Sequence, residues 1–172
     1  QTGKILHYQV FYHLCEFLAG RRTAGIVPLL HGQYLDIVPV DYVAQAIARS
    51  SRAPALSGRI LHLCAGPEQA LELMELMGLA RQVFAEAGLR VPRLKPIPLS
   101  LFQRLVPALA LLAPPKTRRA LGTLPVFFAY LRDQQMFANT LSREVLGPMG
   151  VIFPAVRDVA RNSLAAYARD RA

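Results

Sequence analysis

The sequence of 172 residues has only two cysteines, no tryptophan and no long apolar run. Cys15 and Cys64 lie in apolar surroundings without a C-x-x-C pair, which excludes a disulfide-rich secreted scaffold and predicts two packed free thiols. The longest uninterrupted apolar run, residues 105–115, is about half as long as a bilayer-spanning helix, so we expect no transmembrane segment. Lys4 and His7 interrupt the first apolar stretch, so we expect no signal peptide.

The usual signatures of a self-sufficient catalytic site are also missing. The 11 glycines form neither the G-x-G-x-x-G turn of dinucleotide-binding proteins nor a phosphate-binding P-loop. The four histidines include no H-E-x-x-H pair, no serine lies in a G-x-S-x-G elbow, and no tyrosine has a lysine four residues later. We therefore expect this chain by itself to hold no dinucleotide, no metal and no catalytic residue.

Apolar residues are abundant, at 53% of the sequence, and charged residues make up 18%. This balance excludes a disordered chain and suits one globular domain of ordinary size over residues 1–172. The sequence begins with Gln1, and we expect it to be a piece of a longer protein.

Positive charge is concentrated in one part of the chain. The sequence has 20 lysines and arginines against 11 acidic residues, a formal net charge of +9. Residues 87–132, called the basic segment below, contain no acidic residue but the basic residues Arg90, Arg93, Lys95, Arg104, Lys116, Arg118, Arg119 and Arg132. The segment also contains the short apolar stretches 99–102, 105–112 and 126–131, so we expect an anionic partner that has an apolar part.

Three interpretations of the basic segment remain open, and a fourth is disfavoured. Nucleic acid is disfavoured because the segment has no zinc-finger spacing and no RNA-recognition motif. An anionic lipid surface, or an acyl thioester with phosphates on its pantetheine arm, would each combine negative charge with an apolar chain. The third interpretation is a solvated basic face on a helical subdomain.

Hydrophobic periodicity predicts a mostly helical α/β fold. Helices are predicted over residues 4–19, over residues 42 to about 52, over about 20 residues that end at Gly88, and over residues 154–169. Residues 100–131 are predicted to form two or three helices, with breaks at Pro107, Pro114, Pro115 and Pro125. Asp41 directly precedes the second of these helices and is its expected N-cap.

Short β-rich runs predict a few strands between these helices. Residues 26–30 and 34–40 are expected to form two strands joined by a tight turn, and residues 59–63 a third strand. Residues 91–97 contain prolines, so we expect them to form a strand at a sheet edge.

Four segments resemble one enzyme family. They are L-D-I-V-P-V-D-Y-V-A (residues 35–44), G-R-I-L-H-L-C-A-G-P (58–67), T-G-K (2–4) and Y-L-R-D-Q-Q-M-F-A-N-T (130–140). In order and spacing they resemble the C-terminal half of extended short-chain dehydrogenase/reductases, in particular the branch of thioester reductases and fatty acyl-CoA reductases, which is also called male-sterility-like. Ala138 stands where this family usually has aspartate.

The resemblance implies both a fold and a function. It implies the C-terminal substrate-binding part of a Rossmann-type reductase that uses NAD(P)H to reduce acyl-CoA or a carrier-bound acyl chain. The glycine-rich turn and the Tyr-x-x-x-Lys pair would lie upstream, so the parent protein would bind NADP or NAD and this chain alone would bind neither. The alternative function for this chain is a non-catalytic module, derived from the same fold, that docks on a lipid surface or on a protein.

The expected partners follow from the resemblance together with the charge pattern, and the expected location follows from the two isolated cysteines. The expected partners are the upstream Rossmann part and an acyl thioester or its acidic carrier protein. An anionic membrane surface is a further expected partner, and nucleic acid is not one. The expected location is the cytoplasm, with peripheral membrane contact as an extension.

Candidate site residues fall into two groups. The resemblance places Thr2 and Gly3 at the end of a loop near the cofactor. His31, Gln33 and Tyr34 lie in the predicted turn between two strands and are proposed to face the substrate. The remaining candidates for substrate binding come from the apolar and basic parts of the basic segment, namely Phe102, Phe127, Phe128, Arg118 and Arg119.

Overall fold

The computed structural model describes residues 10–112, 118 and 136–171 of the chain. This part is an α/β fold with six α-helices and a few short strands, which confirms the predicted mostly helical class. The described residues form two compact units. The first unit comprises residues 10–34, 72–112, 118 and 161–171, and the second comprises residues 35–71 and 136–160.

The helices and strands are numbered here in chain order. The helices are α1 (Val10–Leu18), α2 (Val40–Ser50), α3 (Leu73–Glu86), α4 (Leu99–Leu112), α5 (Thr140–Leu146) and α6 (Val156–Arg169). The strands are β1 (Ile26–Pro28), β2 (Tyr34–Leu35), β3 (Leu71–Glu72) and β4 (Lys95–Ile97). The predicted last helix is confirmed by α6, whereas α5 had not been predicted.

The core of the first unit forms where α1 packs against α3. The buried residues of α3 recur every three or four positions, which places them on one face of the helix; they are Leu73, Leu76, Leu79, Ala80, Val83 and Phe84. Cys15 and Phe17 of α1 are buried as well. Both cysteines of the chain are buried free thiols, as predicted.

Helix α1 ends where its glycine signal predicted. Gly20 adopts a φ of 78°, in the left-handed region that favours glycine. Its backbone N–H donates to the carbonyl of Phe17 at 2.8 Å, and the N–H of Arg21 donates to the carbonyl of Glu16 at 3.0 Å. A side chain at position 20 would also meet the backbone of Gly25, because its Cβ would lie 2.9 Å from that residue's Cα.

The predicted pairing of the first two strands is wrong. Strand β1 pairs in parallel with β4, with Ile26 opposite Lys95 and Pro28 opposite Ile97. Strand β2 pairs instead with β3 in a second two-stranded sheet. The prolines of β1 and β4 are tolerated because each strand of a two-stranded sheet is an edge strand.

The helix break predicted at Pro107 is wrong, since α4 continues past this residue to Leu112. Proline removes one backbone donor, which leaves the carbonyl of residue 103 without its helical partner. Gln103 and Pro107 are both exposed, so water can replace that hydrogen bond. The breaks predicted at Pro114, Pro115 and Pro125 lie outside the described residues.

In the second unit, α2 begins two residues earlier than predicted, and Asp41 is not its N-cap. Pro39 occupies the N-cap position, and no side-chain hydrogen bond caps the helix. The Asp41 carboxylate lies in the first turn and accepts a hydrogen bond from the backbone N–H of Tyr42 at 3.0 Å. Its negative charge is favourable there because the N-terminus of a helix carries partial positive charge. Tyr42 and Ala46 form the buried face of α2.

Residues 59–63 form no strand, which corrects the predicted third strand. The backbone of Arg59 donates to the carbonyl of Leu56 in a turn rather than to a neighbouring strand. The long helix that ends near Gly88 also starts later than predicted. The N–H groups of Gln69 and Ala70 both donate to the carbonyl of Gly66, so this stretch is a turn and α3 begins only at Leu73.

Candidate functional site

The predicted turn of residues 31–34 is fixed against the start of α3. The backbone N–H of Gly32 donates to a carboxylate oxygen of Glu72 at 3.1 Å. The backbone N–H of Leu73 donates to the carbonyl of Gln33 at 2.8 Å. The structure therefore brings this turn together with the N-terminal end of a buried helix.

The side chains of this turn differ in their surroundings. His31 and Tyr34 are exposed. The Oε1 atom of Gln33 is buried and has no hydrogen-bond partner among the described residues. A buried amide oxygen without a donor costs free energy, so a ligand or water donor at Gln33 would stabilise the turn.

Phe102 lies in the core of the first unit. Its side chain is 0% exposed, and its ring meets that of Phe17 edge to face with centroids 5.5 Å apart. Arg118 is exposed and donates to the carbonyl of Ala110 at 3.0 Å and to that of Leu111 at 3.3 Å. It therefore satisfies carbonyls at the C-terminal end of α4. The remaining predicted site residues, Thr2, Gly3, Arg119, Phe127 and Phe128, lie outside the described residues.

Four other cations of the basic segment are exposed on the first unit, namely Arg90, Arg93, Lys95 and Arg104. None of their side chains forms an ion pair with another described residue. Arg81 differs, because its guanidinium donates to the carbonyls of Ala19 at 3.0 Å and Pro92 at 2.9 Å. Within the described part of the chain these four cations have no acidic partner, whereas Arg81 holds two loops in place.

Three of the family-like segments meet in the second unit, around Asn139. The Asn139 side-chain amide donates to the carbonyl of Cys64 at 2.9 Å and to that of Ala65 at 2.8 Å. The backbone N–H of Ala65 donates to the Asp36 carboxylate at 2.8 Å. Residues 35–44, 58–67 and 136–140 are thereby joined by three hydrogen bonds. Gly66 closes the cluster, since a Cβ there would lie 2.7 Å from the Asn139 Oδ1 atom.

The two thiols are not activated nucleophiles. Burial raises the pKa of Cys64, and the nearby Asp36 carboxylate raises it further. Burial also raises the pKa of Cys15, with a smaller contribution from Glu16. Because the thiolate is the reactive form, both cysteines are unreactive at neutral pH. The Cys64 thiol instead donates to the carbonyl of Phe137 at 3.3 Å.

An open groove on the second unit was not predicted from the sequence. The groove has a volume of about 610 Å³ and lies between α2 and residues 53–63. Its lining includes the apolar side chains of Ile47, Leu61 and Leu63 and the charged side chain of Arg59. A sequence signal was present, because residues 42–67 contain three arginines and no acidic residue.

The described residues contain neither a metal-binding cluster nor a membrane-spanning helix. No group of three or more histidine, cysteine, aspartate or glutamate side chains there is arranged to hold a metal ion. No described helix combines the length and apolar character needed to cross a membrane.

Comparison with known proteins gave no matching family model, curated protein or solved structure.

Proposed function

We propose that this chain is the substrate-binding half of an NAD(P)H-dependent reductase that acts on an acyl thioester. The observation that supports the proposal most is the cluster around Asn139, in which three separate family-like segments contact one another. If these segments carry the motifs of one family, they are expected to contact one another in the folded protein. The hydrogen bonds from Asn139 and Asp36 to Cys64 and Ala65 are contacts of this kind, because they join the three segments.

In this proposal the chain binds and orients the substrate. The exposed cations Arg90, Arg93 and Lys95 attract the phosphates of the pantetheine arm or an acidic carrier protein. The turn of residues 31–34 contributes polar contacts through the exposed side chains of His31 and Tyr34. Because these groups act on binding, they affect substrate affinity more than the chemical step.

In such a reductase the nicotinamide coenzyme supplies the hydride. In this proposal the coenzyme is bound by the Rossmann part of the protein, upstream of this chain. The residues that the resemblance places near the cofactor, Thr2 and Gly3, lie outside the described part of the chain. The chain has no glycine-rich phosphate loop either. No step of hydride transfer is therefore assigned to its residues.

The direct test measures NADPH and NADH consumption by the full-length protein in the presence of palmitoyl-CoA. We expect thioester-dependent oxidation of one coenzyme, and none with palmitate. The triple variant His31→Ala, Gln33→Ala, Tyr34→Ala should raise KM with little change in kcat. Asn162→Ala, at an exposed position of α6, serves as the control. Absence of thioester-dependent oxidation would contradict the proposed reaction, and an unchanged KM in the triple variant would remove the turn from the substrate site.

A second candidate, docking on a lipid surface, is favoured by the outer face of α4. Leu101, Leu105 and Leu111 are exposed there, and Arg104 lies beside them. Exposed apolar residues next to cations suit an anionic membrane surface. Sedimentation with anionic vesicles tests this candidate. Binding that is lost on Leu101→Ser, Leu105→Ser and Leu111→Ser together supports docking, and no vesicle binding by the unmodified protein removes it.

A further inference from the structure

The groove on the second unit is formed by a change in chain direction after α2. The short 3-10 helix Pro54–Leu56 follows α2, and Gly58 then adopts a φ of 74° in the left-handed region. After this turn, Leu61 and Leu63 line the same groove as Ile47 of α2. Ile47 is 61% exposed although it belongs to the lining of this groove. An exposed apolar side chain in such a place can bury further surface when a ligand binds.

The charged residues of the chain stretch that forms the groove all have one sign. Arg49, Arg52 and Arg59 are exposed and belong to a stretch without acidic residues, residues 42–67. Arg59 lines the groove itself. Its guanidinium has no hydrogen bond or ion pair with any described residue. A cation in this position attracts an anion because no neighbouring carboxylate in the stretch neutralises it.

The serines of the lining differ in what they can offer a ligand. The hydroxyl of Ser50 donates to the carbonyl of Ala46 at 2.6 Å, and that of Ser51 donates to the carbonyl of Ala48 at 3.2 Å. Their protons are thus engaged within α2. The polar donors that the lining offers to an anion are therefore the Arg59 guanidinium and the nearby Ser57 hydroxyl.

We propose that this groove binds an amphipathic anion, with its acyl chain against Ile47, Leu61 and Leu63 and its anionic group at Arg59. The volume of about 610 Å³ is within the ordinary range of small-molecule sites. A long-chain carboxylate and the phosphate-bearing acyl-CoA both have this chemistry. The inference goes beyond the proposed function, because binding in the groove needs neither a nicotinamide nor the turn of residues 31–34.

The test is calorimetry of the 172-residue chain with laurate, with lauroyl-CoA and with coenzyme A lacking an acyl chain. We expect saturable one-to-one binding of at least one of the two acyl ligands and much weaker binding of coenzyme A. Arg59→Gln should weaken binding by roughly threefold to tenfold, since the lost charge-assisted contact is partly exposed to solvent. Ile47→Ser should weaken it by about tenfold through lost apolar contact.

Two matched variants control for general effects. Arg169→Gln removes an exposed cation of the first unit, and Ile152→Ser removes a 78% exposed isoleucine of the second unit outside the groove. Both should bind like the unmodified chain. The substitutions are all at exposed positions, so the thermal unfolding midpoints of the four variants should agree and confirm that each is folded.

Each outcome decides the proposal. Equal binding of both acyl ligands identifies a carboxylate as sufficient, and binding of lauroyl-CoA alone identifies the thioester with its phosphates. No saturable binding of either ligand overturns the proposal. Binding that survives both Arg59→Gln and Ile47→Ser, or that coenzyme A matches without an acyl chain, overturns it as well. The reductase test does not depend on these outcomes, because it measures coenzyme consumption by the full-length protein.

Discussion

Replacing Asn139 by alanine should destabilise the chain through two buried carbonyl groups. The Asn139 side chain is only 7% exposed and donates to the carbonyls of Cys64 and Ala65, which are buried residues. An unsatisfied buried polar group costs about 1–3 kcal/mol. The variant leaves two carbonyls without their donor, and water that enters the space left by the amide offsets part of this cost. We therefore expect the free energy of unfolding to fall by about 2–4 kcal/mol.

Urea denaturation followed by circular dichroism measures this loss. Asn162→Ala in α6 is the matched control, because Asn162 is exposed and alanine favours a helix by a few tenths of a kcal/mol. The reactivity of the Cys64 thiol provides a local readout, since its neighbouring carbonyl is one of the two that lose their donor. We expect faster thiol modification in the Asn139 variant. A free energy of unfolding for the Asn139 variant as high as that of the control variant would refute the role assigned to Asn139.

Three further predictions follow from single contacts. Gly66→Ala should be more destabilising than Gly58→Ala by about 1–2 kcal/mol in urea denaturation, because both residues have positive φ but only the Cβ at 66 would collide with a neighbouring side chain. Tyr167→Phe should cost about 1.5–3 kcal/mol, since the buried hydroxyl donates to the Glu16 carboxylate at 2.8 Å. Burial, with a smaller contribution from that hydrogen bond, raises the pKa of Tyr167 from 10.0 to about 12. The native state therefore holds the hydroxyl proton more tightly than the unfolded state does. The native state loses this stabilisation as the pH rises from 10 to 12. Denaturation across that pH range should show a smaller fall in the phenylalanine variant. The Cys15 thiol should resist iodoacetamide in the native protein and react after denaturation, because its side chain is 0% exposed; rapid native alkylation would contradict its burial.

The sequence by itself determined features that depend on near neighbours in the chain. The end of α1 could be predicted because Gly20 is the residue that a left-handed helix end favours. The last helix could be predicted from apolar spacing, and the buried thiols from their apolar surroundings. The lack of acidic residues in the basic segment likewise needs no structure to be recognised.

Tertiary structure alone decided which strands pair and which side chains meet. Strand β1 pairs with β4 from about 70 residues away, because backbone hydrogen bonds are made with whichever strand the packing of the intervening helices brings alongside. Residues 59–63 have the composition of a strand but form none, because β-propensity depends on having a partner.

The candidate site shows the same division. The turn of residues 31–34 could be chosen from local sequence, but its attachment to Glu72 is a contact across 40 residues. The role of Asn139 was hidden, since its acceptors lie 74 and 75 residues earlier in the chain. The groove at Arg59 had a compositional signal in the missing acidic residues, yet only the fold placed Ile47 and Leu61 on the same lining. Local conformational preference is encoded in neighbouring residues, whereas a binding surface depends on contacts between distant ones, which folding alone brings together.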